Sequence, residues 1–396
     1  MPLTLTAIRI EGYRSVKRIA FTVSGLSVLT GKNGVGKTNL YRALELLQAA
    51  ARGAITHEIA AEGGFRSVLW AGAGVRRRSK PVRLKLAAEL GDLEYAIEIG
   101  LPTPSQAALC KTEPMVKEET LTFRGGRKPV VLMHREGPGV WLRDEEGTRH
   151  TFEKALLPSE TALTGFQDTA RFLELDLVRR TLLDWRFYHQ FRVDRDAPAR
   201  KPSLTVTTPT LASDGHDLAA ALATVQQVRE DMTDIDSAIE DAFPDAALVI
   251  EVGPPPNLTD QPAPEVRHEP ETIALQWHLA DLPRPLGMHE ISDGTLSWLC
   301  LVAALSGYRL PGFIALNEPE ANLHADLIGP LARLIACAAE TTQVWVVTHA
   351  TALADALEQE TGVVPRNIVK RDGATWIEGL RLGGDFDDEH EDEDED

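Results

Sequence analysis

The chain of 396 residues has little sulfur chemistry to offer. Its three cysteines, Cys110, Cys300 and Cys337, are scattered without metal-ligand spacing. An odd, unclustered trio excludes a disulfide framework and a cysteine-based metal site, so reduced core or surface thiols are expected. Long apolar runs are missing as well: no stretch approaches the ~18 residues that a membrane helix needs, and the N-terminus lacks a basic and then apolar signal pattern. A cytoplasmic protein with no membrane contact is the expectation. No heptad repeat runs through the helical middle of the chain, which excludes a long coiled coil there.

Even the acidity is largely local. Residues 385–396 carry ten of the 59 carboxylates; without them 49 acids face 41 bases, a balance of −8 instead of −18. The body is only mildly acidic, and the tail is a like-charge run expected to stay disordered. It either solubilises the chain or mimics nucleic acid and competes for a basic groove.

What is present begins with Gly31-Lys32-Asn33-Gly34-Val35-Gly36-Lys37-Thr38, which satisfies G-x-x-x-x-G-K-[ST] at every fixed position. Residues 26–30 before it are short and β-prone, while Leu40, Ala43, Leu44 and Leu47 after it fall at i, i+3, i+4 and i+7. Strand, loop and helix are the context this motif requires. Its glycines let backbone amides wrap an anion under the positive end of the helix dipole. Lys37 would reach the β- and γ-phosphates of ATP, and Thr38 would place its hydroxyl on Mg²⁺.

Residues 4–23 alternate apolar and polar on either side of Gly12, predicting two strands and a turn, and 82–99 alternate around Gly91-Asp92 as a hairpin. Further alternation over 119–151 is broken at Gly125-Gly126 and at 137–139. Helical periodicity appears at 168–184 and 214–241, and residues 253–270 are rich in proline and polar residues. Two stretches could touch nucleic acid: Arg76-Arg77-Arg78-Ser79-Lys80, otherwise a solvated turn, and 185–201, where aromatics interleave with arginines. Those aromatics either stack on bases or pack at the edge of a core.

The strand, the run from Glu11 to Phe21, and the loop followed by Asn39 together resemble the opening of ABC-type head ATPases of the RecF, structural-maintenance-of-chromosomes (SMC) and OLD-like group. The later motifs come in the order of that group. Ser292-Asp293-Gly294 precedes an apolar helix; it suffices as an N-cap, and the resemblance adds a signature that binds the nucleotide held by a partner subunit. Residues 313–316 read as a buried strand followed by Asn317-Glu318-Pro319-Glu320, similar to a Walker B motif with Glu318 as catalytic base. Asn317 stands where the Mg²⁺-linked Asp is usual, which puts metal affinity and hydrolysis rate in doubt. His349, at the end of 343–347, resembles the switch histidine. No glutamine among Gln106, Gln167 and Gln190 has flanks that mark a Q-loop.

The resemblance implies an α/β P-loop NTPase of RecF/SMC-like head type, with an antiparallel β lobe and a helical insertion. The expected division is 1–103 and 271–384 for the two halves of the ATPase core, 104–270 for the insertion lobe, and 385–396 for the tail. It implies Gly31, Asn33, Gly34, Gly36, Lys37, Thr38, Asn39, Ser292 and Gly294 on ATP, Thr38 and Asn317 on Mg²⁺, and a homodimer closed head to tail around ATP. Two biological settings stay open: action on DNA in repair or genome maintenance, and an ATP-dependent sensor in an anti-phage or toxin system that recruits a separate effector protein.

Overall fold

The computed structural model describes residues 3–72, 83–102, 112–153, 156–229, 232–253, 271–381, 384 and 386. The Arg76–Lys80 loop, Cys110, the proline-rich 254–270 segment and all of the acidic tail but Phe386 lie outside the described residues. The chain forms two compact units, Met1–Trp185 with Pro365–Asp396, and Arg186–Val364.

In the first unit, β1 (Leu5–Tyr13) and β2 (Val16–Thr22) form the predicted hairpin, but its turn lies at Arg14-Ser15 and not at Gly12. Gly12 sits inside β1, where a Cβ would lie 2.6 Å from the Arg83 carbonyl oxygen. β3 (Leu26–Thr30) leads into α1 (Lys37–Arg52), whose Leu40, Leu44 and Leu47 are buried. Two short helices, α2 (Ile55–Ala61) and α3 (Phe65–Val68), follow. Then come β4 (Leu84–Leu90), β5 (Leu93–Gly100), β6 (Met115–Phe123), β7 (Val130–Glu136), β8 (Gly139–Arg143) and β9 (Arg149–Phe152). They continue an eight-stranded antiparallel sheet in the order β2-β1-β4-β5-β6-β7-β8-β9. Alternation along 82–99 and 119–151 thus reports one buried and one solvated face. Within the buried face Arg135 bonds Glu119 at 2.7 Å, both fully buried, and Tyr95 donates to the same carboxylate at 2.8 Å. Burial pushes the Glu119 carboxyl above its ordinary range against the pull of the guanidinium. α4 (Ala162–Gly165) and α5 (Leu173–Asp184) close this part, α5 being the ordered core of the helical pattern at 168–184.

The second unit opens with β10 (Arg186–Tyr188), β11 (Ser203–Leu204), α6 (Leu218–Arg229) and α7 (Thr233–Ala242), so the pattern at 214–241 is two helices. β12 (Ala246–Gly253), β13 (Thr272–Leu279) and β14 (Leu286–Gly287) follow; β13 pairs with β11, β12 and β14 in a small antiparallel sheet. α8 (Asp293–Leu305), β15 (Phe313–Asn317), α9 (Ile328–Ala339), β16 (Gln343–Val347) and α10 (Thr351–Thr361) complete it. β15 runs parallel to β10 on one side and β16 on the other, and every residue of β15 and β16 is buried. That explains why both read as unbroken apolar runs: parallel strands are covered on both faces.

The chain then returns to the first unit as β17 (Arg366–Arg371) and β18 (Ala374–Ile377), a hairpin around Asp372-Gly373 with β17 parallel to β3. Cys300 is buried, which raises its thiol to about 12, and Cys337 is exposed; neither is in a disulfide. No helix among the described residues is long and apolar enough to cross a membrane.

Candidate functional site

The phosphate loop of the first unit joins three glycines of unusual backbone conformation to a buried lysine. Gly31, Gly34 and Gly36 have φ of 145°, 80° and 108°, values that L side chains rarely adopt. Lys37 is buried, and its ammonium donates to the carbonyls of Gly31 and, at 3.2 Å, Lys32. Asn33 and Thr38 are exposed, Thr38 in the first turn of α1. Behind the loop runs a relay with one direction: the Asn39 side-chain amide donates to Ser15 Oγ at 2.6 Å, Ser15 meets Thr375 Oγ1 at 2.6 Å, and Thr375 donates to the Val35 carbonyl at 2.8 Å. The Thr375 amide also donates to the Ser15 carbonyl at 2.8 Å. Asn39, a sequence candidate for nucleotide contact, therefore has its amide committed to bracing.

A cradle of this kind fits a triphosphate. At Gly36 a Cβ would lie 2.1 Å from Thr375 Oγ1 and 2.4 Å from Ser15 Oγ, and at Gly31 2.6 Å from the Ile368 carbonyl oxygen, so only glycine leaves the loop in its wrapped path. Ser15 and Thr375 escaped sequence reasoning because they are 360 positions apart and isolated hydroxyls carry no periodicity. Replacing Thr375 by Val removes two hydrogen bonds at constant shape. At about 1 kcal/mol for each bond lost, ATP affinity should fall roughly thirtyfold in a calorimetric titration, whereas unchanged affinity would show that the relay does not shape the loop.

The second unit gathers the other candidates. Ser292 caps α8, accepting from the Thr295 amide at 3.1 Å, with its hydroxyl 2.8 Å from Thr295 Oγ1. The capping role is thus realised. Gly294 is needed there because a Cβ would come within 2.9 Å of the Asn322 carbonyl oxygen. Arg200 locks the approach to this helix, donating to the carbonyls of Met288 (2.6 Å) and Ile291 (3.0 Å) and to Asp293 (2.6 Å).

β15 ends at Asn317, which is buried. Its side-chain nitrogen donates to His189 Nδ1 at 2.8 Å, and its Oδ1 is buried with no hydrogen-bond partner among the described residues. An orphan amide oxygen fits an acceptor for a water on Mg²⁺, although it adds no charge. Glu318 follows with φ of 53°, a conformation uncommon for a side chain with Cβ and of a kind found at functional sites. Its amide is held by the Val347 carbonyl at 2.7 Å. His349, half-exposed, puts Nδ1 3.4 Å from Glu318 Oε1 and 3.3 Å from Glu320 Oε1.

Gln190, just past β10, lines a small cleft with His189, Ser297, Leu316 and Glu318. Gln167 instead bonds the Thr164 carbonyl at 3.0 Å, and Gln106 lies outside the described residues. Gln190 thus follows the strand that pairs with β15, a place that nothing in its flanks marks.

The stretch 185–201 resolves against stacking. Trp185, Phe187, Tyr188 and Phe191 are all buried, and Arg192 and Arg200 are paired with Asp194 and Asp293. The periodicity of a short strand, not an exposed platform, placed aromatics between bases.

Solved structures of similar fold include an SMC head bound to the C-terminal winged-helix domain of ScpA, at 12% identity and a TM-score of 0.47, covering 96% of this chain and 99% of that one. The SMC head domain from Thermotoga maritima matches at 13% and 0.43, covering 96% and 100%. An SMC head with an extended coiled coil, bound to the C-terminal domain of ScpA derived from Pyrococcus furiosus, matches at 12% and 0.48, covering 96% and 97%. Among curated proteins none matches the sequence. Residues 3–58, which contain the phosphate loop, match a family described as a protein of unknown function, DUF2813. Residues 146–355, over half of the chain and including Ser292, Asn317, Glu318 and His349, match AAA_21, described as AAA domain, putative AbiEii toxin, Type IV TA system. With its phosphate loop between β3 and α1, the chain is an α/β P-loop NTPase and belongs to this AAA domain family.

Proposed function

We propose that the chain binds ATP with Mg²⁺, hydrolyses it, and closes as a head-to-tail homodimer around the nucleotide. The cradle of Gly31, Gly34 and Gly36 around the buried Lys37 carries this reading. Bound Mg²⁺ would neutralise charge on the β- and γ-phosphates. Lys37 and the loop amides would take the phosphates, and Thr38, with its hydroxyl, and Asn317, with its unpaired Oδ1, would serve the metal. Glu318 orients the attacking water. His349 contacts the γ-phosphate, and the start of α8, with Ser292 and Gly294, serves the nucleotide of the second copy.

Closing and opening would then drive a separate effector, making the chain an ATP-dependent sensor or regulator in a toxin or anti-phage system; the family's description supports this setting. Action on DNA is the second reading. It rests on Arg76-Arg77-Arg78 and on the exposed bases Arg195 and Lys201, without stacking once the aromatics of 185–191 are packed away.

Steady-state ATP turnover by the purified chain, with and without Mg²⁺ and duplex DNA, tests both. Mg²⁺-dependent turnover indifferent to DNA is expected. Stimulation by DNA that collapses as salt rises would restore the repair reading, and failure to bind or turn over ATP would remove the whole proposal.

A further inference from the structure

Glu320 has no role in the mechanism above, yet it is the more deeply placed of the two carboxylates in the Glu318-Pro319-Glu320 turn. Its side chain is 7% exposed against 33% for Glu318. Two donors from the neighbouring strand end converge on its Oε1, the Thr348 hydroxyl at 2.6 Å and the His349 amide at 3.4 Å, and His349 Nδ1 lies 3.3 Å from the same oxygen. Thr348 is fully buried and itself accepts from the Ala350 amide at 3.0 Å. The bonds therefore run one way, from Ala350 N–H to Thr348 O–H to the carboxylate, and chains of this kind polarise one another in a low-dielectric surround. Glu320 Oε2 is buried and takes no hydrogen bond among the described residues, so the Oε1 set alone orients the group.

This arrangement decides how His349 is presented. A carboxylate accepts and does not donate, so at this distance it favours a hydrogen on the ring nitrogen that faces it, Nδ1. Glu318 Oε1, at 3.4 Å, competes for the same Nδ1–H. If Glu318 won, the base would be spent as the partner of the imidazole. Burial and the two further donors hold Glu320 in place, whereas Glu318 is accessible to water and can leave the ring.

We infer that Glu320 is a positioning residue that fixes the His349 turn through Thr348 and captures Nδ1–H, leaving the Glu318 carboxylate for water. The inference rests on the reading of Glu318 and His349 as base and phosphate contact, but its geometric half is measurable without nucleotide.

Histidine labelled with ¹⁵N reports the tautomer in long-range proton–nitrogen spectra, with His349 assigned by its loss in His349→Gln. The wild type should show hydrogen on Nδ1. In Glu320→Met, which keeps length but accepts nothing, Nδ1–H passes to Glu318 at 3.4 Å and turnover should fall about tenfold with the KM for ATP unchanged, whereas in Glu318→Ala/Glu320→Met, where neither acceptor is left, His349 should move to the Nε2–H tautomer that Glu318→Ala alone does not show. Glu320→Gln keeps an acceptor for Thr348 and His349 and should retain the tautomer and most of the turnover. A wild-type His349 already hydrogenated on Nε2 overturns the inference without any variant, which covers the case in which Glu320→Met does not fold. So does an unaltered tautomer in a folded Glu318→Ala/Glu320→Met. If the tautomer behaves as expected but the wild type turns over no ATP, the positioning holds and the ATPase reading is what fails.

Discussion

Gly36→Ala should abolish ATP binding at concentrations that saturate the wild type. Gly36 sits at φ 108°, ψ 16°, immediately before α1, and an alanine held there carries about 1–3 kcal/mol of backbone strain. Its methyl would also lie 2.1 Å from Thr375 Oγ1 and 2.4 Å from Ser15 Oγ. Neither hydroxyl can swing aside cheaply. Each is a link in the relay from Asn39 to Val35, and breaking two such bonds costs about 1 kcal/mol apiece. The loop will instead unwind at the point where Lys37 leaves it, and the amides will no longer converge. Together the terms reach roughly 3–5 kcal/mol, or about 10²–10⁴-fold in affinity. A fluorescent ATP analogue titrated into the folded variant reads this directly. Affinity within threefold of the wild type would mean that the loop has room the structure denies it.

The same residues mark what a sequence can and cannot convey. The phosphate loop and the β4–β5 hairpin were legible because each is a local pattern: fixed glycine spacing, or alternation around a turn pair such as Gly91-Asp92. The relay behind the loop was not, since Ser15 and Thr375 meet only after the whole chain has returned. Composition alone gave residues 185–201 two readings, stacking surface or core edge, and the burial of Trp185, Phe187, Tyr188 and Phe191 chose the second. The turn at Arg14-Ser15 was misplaced to Gly12 because glycine is the usual turn signal; here the glycine is needed for the approach of the Arg83 carbonyl. The two glutamates of residues 318–320 are chemically identical in sequence, and only burial and φ separate a candidate base from a positioning group.

That separation gives the last prediction. Glu318→Gln should lower turnover about 10²–10⁴-fold, the usual contribution of a positioned acid or base, while ATP affinity stays within threefold because the phosphate loop is untouched. The strain at φ 53° belongs to the backbone, held by the bond from the Glu318 amide to the Val347 carbonyl, and survives the change. Only the charge that orients water is lost. Bound ATP then has no route to hydrolysis, the closed state accumulates, and size-exclusion chromatography of the variant should show a dimer with ATP and a monomer without it. Turnover above a tenth of the wild type would transfer the base role elsewhere. A variant that retains ATP yet stays monomeric would leave Ser292 and Gly294 as no more than the cap and close-packed turn of α8, and the head-to-tail assembly would have no remaining support.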